Sequence, residues 1–135
     1  MDLLVNIDVD DLSKAIAFCQ QAAGLRPGRR FGSLGVEMLG TSSAIYLLVK
    51  PDGTRPSTST DEMRRYRRHW TPVHLDFVVS ELEAAVSRAI EAGATIEGKI
   101  QTHNWGRIAH MADPFGHGIC FIQFLGHGYD EISHE

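Results

Sequence analysis

Leu3-Leu4-Val5-Asn6-Ile7-Asp8-Val9 alternates apolar and polar residues as a half-buried strand does, and Asp10-Asp11-Leu12 turns it into a helix. Either aspartate can cap that helix. Leu12, Ala15, Ile16, Cys19, Ala22 and Ala23 give it one apolar stripe, and Gly24 ends it. The same pattern recurs later in the chain. Val73 to Val79 reads as a strand, Ser80-Glu81-Leu82-Glu83 as a capping box, and Leu82, Ala85, Val86, Ala89 and Ile90 as a second stripe closed by Gly93. Asp11-Leu12 and Glu81-Leu82 stand 70 positions apart, and the same offset sets Val5 on Leu75, Ala15 on Ala85 and Ala22 on Ala92. A duplicated strand-helix unit accounts for all of these matches at once.

Three short strand candidates follow each helix: Arg29 to Phe31, Leu34 to Leu39 and Ala44 to Val49 in the first half, then Thr95 to Thr102, Gly106 to Met111 and Gly118 to Phe124 in the second. Asp113-Pro114-Phe115-Gly116 reads as the turn before the last of them. Each half is therefore βαβββ and the fold class is α+β: two such modules forming curved mixed sheets around a cleft. Module 1 covers about residues 3–49, a polar, turn-rich linker 50–70, module 2 about 71–124, and a tail 125–135. Neither module, at about 55 residues, buries enough surface to stand comfortably alone, so the chain is expected to be one domain over 1–135.

Composition bounds the function. A chain of 135 residues that is 43% apolar and 22% charged is an ordinary globular domain. A net charge of −4 lacks the positive field that nucleic-acid binding draws on, so nucleic acid is not an expected partner. No apolar run approaches the span of a bilayer and the first residues do not read as a signal peptide, so a cytoplasmic protein with no membrane association is expected. Cys19 and Cys120, one in a helix and one in a strand, read as reduced thiols rather than a disulfide framework.

With its two modules, the opening Val9-Asp10-Asp11-Leu12, the echo Val79-Ser80-Glu81-Leu82 and the closing Trp105-Gly106-Arg107 and Asp113-Pro114-Phe115-Gly116, the chain resembles the vicinal oxygen chelate superfamily over about Leu3 to Phe124. That superfamily includes glyoxalase I, extradiol dioxygenases and the bleomycin- and fosfomycin-resistance proteins. The resemblance implies curved sheets enclosing a cavity and, in metal-dependent members, four ligands: a His or similar residue in the first strand of each module and a Glu in the last. Carried over, these positions fall on His74 and Cys120 in module 2. In module 1 they fall on Leu4 and on the stretch Ser42 to Val49, placed at Tyr46, where no Asp, Glu or His occurs. No cofactor is therefore expected, and a rearranged divalent site on His74 and Cys120 is the alternative.

Strand alternation puts Asn6 and Asp8 on one face with Leu4, and Asp76 on one face with His74. Polar residues on a cavity-facing row either exchange protons and hydrogen bonds with a ligand or satisfy one another. On the first reading His74, Asp76 and Asp8 are candidate catalytic groups, and Asn6, Tyr46, Trp105, Arg107 and Cys120 candidate ligand contacts. Trp105 can stack on a ligand and Arg107 hold a carboxylate, or they can be a packing aromatic and a solvated charge. Cys120 is more simply an inert strand thiol than a nucleophile. The basic run Arg64-Arg65-Tyr66-Arg67-Arg68-His69-Trp70 can grip an anionic ligand at the cleft mouth or a nucleic-acid backbone, or be a solvated or interface segment answering Asp61 and Glu62, the reading preferred over nucleic acid; Asp130, Glu131 and Glu135 read as solvated tail charges.

The expected function is metal-independent binding of a small molecule in the cleft of a homodimer. The alternative is a glyoxalase-type lyase or isomerase using His74 with a carboxylate. A scaffold with a vestigial cavity is a third, weaker possibility.

Overall fold

A computed structural model describes residues 1–134; of the tail, Glu135 lies outside the described residues. Its contacts divide the chain into two compact units, Met1–Arg67 and the residues from Arg68 on. Each is described by itself.

In the first unit, β1 (Val5–Val9) leads into α1 (Leu12–Ala23), followed by β2 (Arg26–Arg30), β3 (Gly35–Leu39) and β4 (Ile45–Val49). The sheet order is β1-β4-β3-β2, with β1 parallel to β4 and the remaining pairs antiparallel. Of the two candidate caps, Asp11 is the one in place: its Oδ1 accepts from the Lys14 amide at 3.1 Å. Gly24 stops the helix at φ +65°, where its amide and that of Leu25 return to the carbonyls of Gln20 and Cys19. Of the expected stripe, Ala15, Ile16 and Ala22 are buried, together with Phe18, while Leu12, Cys19 and Ala23 are half-buried.

The second unit repeats the plan: β5 (Leu75–Val78), α2 (Leu82–Glu91), β6 (Thr95–Ile96), β7 (Gln101–Thr102), β8 (Gly106–Ala112) and β9 (Gly118–Phe124), then a 3₁₀ turn at Gly128–Ile132. Its order is β5-β9-β8-β6, with β7 also on β8 and β5 parallel to β9. The two mixed sheets thus share one topology, and the α+β class and paired βαβββ modules hold. The single expected strand over 95–102 is two short pieces, because the chain bends between them at Gly98, φ +81°. The expected capping box is absent as well. Glu81 is the N-cap but makes no side-chain cap bond, and the Leu82 amide donates instead to Gln123 Oε1 on β9 at 2.9 Å. That helix start is held by the sheet beneath it.

Residues 50–67 are tied to the first sheet rather than left as a free connection. Gly53 and Thr54 exchange backbone hydrogen bonds with Arg64, and the Tyr66 hydroxyl donates to the Lys50 carbonyl at 2.6 Å. Two arginines of the basic run are answered by carboxylates other than Asp61 and Glu62. Arg64 donates to Asp8 Oδ2 at 2.8 Å, Arg68 pairs with Glu97, and Asp61 meets Arg55. Among the described residues no helix is long and apolar enough to cross a membrane, and no disulfide joins Cys19 and Cys120.

Candidate functional site

The second unit concentrates its polar side chains along one row. Parallel pairing sets Asp76 opposite Cys120, and antiparallel pairing sets Cys120 opposite His110, so all three share a face. His74 lies two residues before Asp76 and reaches it, Nε2 to Oδ1, at 3.2 Å. Donor atoms of His74, Asp76 and Cys120 all lie within 4.8 Å of one another. Cys120 is buried, while the His74 and Asp76 side chains keep 52% and 34% of their surface exposed, so the trio opens to solvent at its outer end. Burial first, and the Asp76 carboxylate second, push the Cys120 thiol up to about 12. At neutral pH it is a protonated donor to Asp76, not a nucleophile.

A pocket of about 140 Å³ adjoins this trio, lined by Arg68, Trp70, His74, Glu97, His110 and Cys120 together with Met111, Gly118 and Ile119. Arg68 grips Glu97 through two parallel bonds, Nε to Oε2 at 2.6 Å and Nη2 to Oε1 at 2.9 Å, and its guanidinium lies 4.5 Å from the centre of the Trp70 ring. The Arg68 hydrogen bonds hold the Glu97 carboxyl below its usual range. Gly118 makes this possible, since a Cβ there would stand 2.9 Å from Arg68 Nη2. Beside the pocket, the Asp113 turn accepts the amides of Phe115 and His117, and His117 Nδ1 stands 3.4 Å from His69 Nε2.

Other expected residues fall elsewhere. Trp105 packs on the buried cluster of Ile108, Cys120 and Ile122 and against His103, Phe124 and Tyr129, as a packing aromatic does. Arg107 pairs with Glu83 in the first turn of α2 and is not among the residues that line this pocket. In the first unit, Asp8 is engaged by Arg64, and Asn6 is exposed on β1 opposite Tyr46. The Tyr46 hydroxyl donates to Glu37 Oε2 at 3.1 Å and accepts from Arg29 Nη2 at 3.2 Å. Arg29 also donates to Glu37 at 2.7 Å and holds that buried carboxyl at about 2. Sequence reasoning singled out Arg68 and Trp70 only as part of the basic run, and missed Glu97 and His110. Of those two, His110 left a signal: folding Gly106 to Met111 back on Gly118 to Phe124 about the Asp113 turn places it across from Cys120.

Residues 4–122 match the family described as the Glyoxalase-like domain. The chain belongs to this glyoxalase-like family. A curated relative, the anthracycline biosynthesis protein DauV of a Streptomyces species, is 30% identical over 120 residues, 88% of this chain and 40% of DauV. The chain spans 28% to 40% of the length of the curated relatives it matches. Two solved structures share its fold. A glyoxalase/bleomycin resistance protein/dioxygenase family enzyme from Burkholderia phytofirmans is 20% identical with a TM-score of 0.69, covering 93% of this chain and 100% of that one. The fosfomycin resistance protein FosX from Listeria monocytogenes is 15% identical with a TM-score of 0.69, covering 91% and 92%.

The four-ligand metal set of metal-dependent glyoxalase-like proteins does not fit this member. Leu4 has no donor atom, and the Tyr46 hydroxyl is committed to Glu37 and Arg29. Among the described residues, the close group of three donor side chains is His74, Asp76 and Cys120 in the second unit.

Proposed function

We propose that this glyoxalase-like protein binds a small organic molecule in the pocket of its second unit, with no metal taking part. The observation that carries this reading is the make-up of the pocket: its lining combines the apolar groups of Met111, Ile119 and Trp70 with polar groups already fixed by partners, Arg68 on Glu97 and His74 on Asp76. Such a lining orients a ligand with few hydrogen bonds and little rearrangement. The volume of about 140 Å³ suits one ring, since a cavity of roughly 150 Å³ accepts benzene, so a larger ligand must extend into solvent along Trp70. The name of the relative DauV, an anthracycline biosynthesis protein, favours a fused aromatic compound among the ligands to test first.

The test is a thermal-shift screen of chelator-treated protein against single-ring phenols, aryl carboxylates and their fused-ring relatives. Binding to the native state alone raises the melting temperature with ligand concentration, and Trp70→Ala should reduce that rise. If no compound raises it, or the rise disappears on chelation, the reading fails. The homodimer and cytoplasmic location belong to the same proposal; light scattering that shows monomer at all concentrations removes the first.

One observation favours a second reading. The 3.2 Å contact between His74 and Asp76 is the arrangement by which a carboxylate orients an imidazole base, as a lyase or isomerase acting on a small carbonyl or carboxylate compound requires. There, His74→Ala abolishes turnover while ligand binding survives.

A further inference from the structure

We propose that the pocket of the second unit selects small aromatic compounds that carry a protonated amine, with the Asp76 carboxylate receiving the ammonium at the pocket's edge. The inference rests on the reading that this pocket binds an organic molecule. To that reading it adds the charge of the ligand and the residue that distinguishes it.

The balance of charge around the pocket carries the argument. Arg68 is the one arginine or lysine among the lining residues, and its donors are already committed. Nε and Nη2 hold the Glu97 carboxylate at 2.6 and 2.9 Å, Nη1 donates to the His69 carbonyl, and the Trp70 ring covers the guanidinium. Asp76 has no comparable partner. Among the described residues no arginine or lysine pairs with it, and its contacts are His74 Nε2 at 3.2 Å and the Cys120 thiol. With imidazoles counted as neutral, Arg68, Glu97 and Asp76 together leave one negative charge in excess. The buried Cys120 thiol registers that excess: Asp76 and Glu97 push it up, and Arg68 does not cancel them.

The surroundings suit both parts of such a ligand. Met111, Ile119 and Trp70 supply apolar surface for a ring, and a volume of about 140 Å³ admits one. His74 and Cys120 line the pocket, and a carboxylate oxygen of Asp76 lies within 4.8 Å of a donor atom on each, so a one-carbon arm on the ring brings an ammonium to the carboxylate. With 34% of its side chain exposed, Asp76 keeps lone pairs open to a new N–H donor. An anionic ligand meets the opposite situation. To reach the Arg68 guanidinium it has to displace Glu97, and that half-buried carboxylate then loses its cation.

The experiment compares benzylamine, benzyl alcohol and benzoate, matched in ring and size, by calorimetric titration of chelator-treated protein at pH 8 and low salt, where the amine is protonated and the acid ionised. Benzylamine should bind about tenfold more tightly than benzyl alcohol, as expected for a charge pair partly open to water, and benzoate should be the weakest. Asp76→Asn should bring benzylamine to within about twofold of benzyl alcohol. Glu91→Gln removes the same charge from an exposed position at the end of α2 and should retain the preference. Thermal melts without ligand establish that both variants fold. If benzyl alcohol or benzoate binds as tightly as benzylamine, the inference falls and the pocket reading stands. A preference for the amine that survives Asp76→Asn also overturns it. Binding of none of the three overturns it too, and the thermal-shift screen then decides the pocket reading on its own compounds.

Discussion

Alkylation of Cys120 in metal-free protein puts the electrostatics of the site to a direct measurement. The thiol is held at about 12 against an ordinary 9.0, a difference of three pH units. Each unit is a factor of ten in thiolate, so at neutral pH Cys120 carries about a thousandfold less of the reactive form than an unperturbed thiol. Burial beneath Ile108, Ile122 and Trp105 slows reagent access further. Iodoacetamide in the presence of chelator, with the two cysteines resolved by peptide mass spectrometry, should modify Cys120 at least about a thousandfold more slowly than a small-molecule thiol. The rate should rise tenfold per pH unit, without a plateau, through the range where an ordinary thiol has saturated. Asp76→Asn removes the second-largest cause of the shift and should speed the reaction. It should not reach the rate of an exposed thiol, because burial remains. Reaction of wild-type Cys120 within about tenfold of the small thiol, or slower reaction in Asp76→Asn, would refute the account.

Glu37 offers a pH test. Its carboxyl sits at about 2 rather than 4.5, first through the Arg29 side-chain hydrogen bond, so its contribution is complete above about 4.5 and lost as pH falls toward 2. Glu37→Gln should melt below wild type at pH 7, and the gap in melting temperature should narrow steadily across that acid window. Gly118→Ala places a methyl 2.9 Å from the Arg68 guanidinium; urea unfolding should show a loss of about 1–3 kcal/mol, with weaker ligand binding because Arg68 leaves Glu97. Phe121 is 1% exposed and stacks on Phe77 at 5.6 Å, so Phe121→Ala should cost about 3–5 kcal/mol in the same assay, against little change for Val78→Ala at an exposed strand position.

The sequence alone determined the elements and their order, because alternation, capping and helix stops act over a few residues. Asp11 and Gly24 bound α1 by contacts no more than five positions away, and the offset of 70 between Asp11 and Glu81 announced the duplicated module before any sheet was assembled. It also placed His74 and Asp76 on one face, since a strand returns to the same side every second residue. The tertiary structure decided everything that depends on pairing between distant strands. Asp76 meets Cys120 because β5 and β9 pair in parallel with Leu75 against Ile119, and His110 joins them through the β8 and β9 register. Arg68, in a run that reads as solvated charge, becomes a fixed wall of the pocket only when Glu97, 29 residues later, is carried beneath it and Gly118 leaves room. Arg107, by the same alternation, was turned toward Glu83 and away from the pocket. Local patterns constrain which face a side chain takes; what stands opposite it is set by register, a cooperative outcome of the whole sheet.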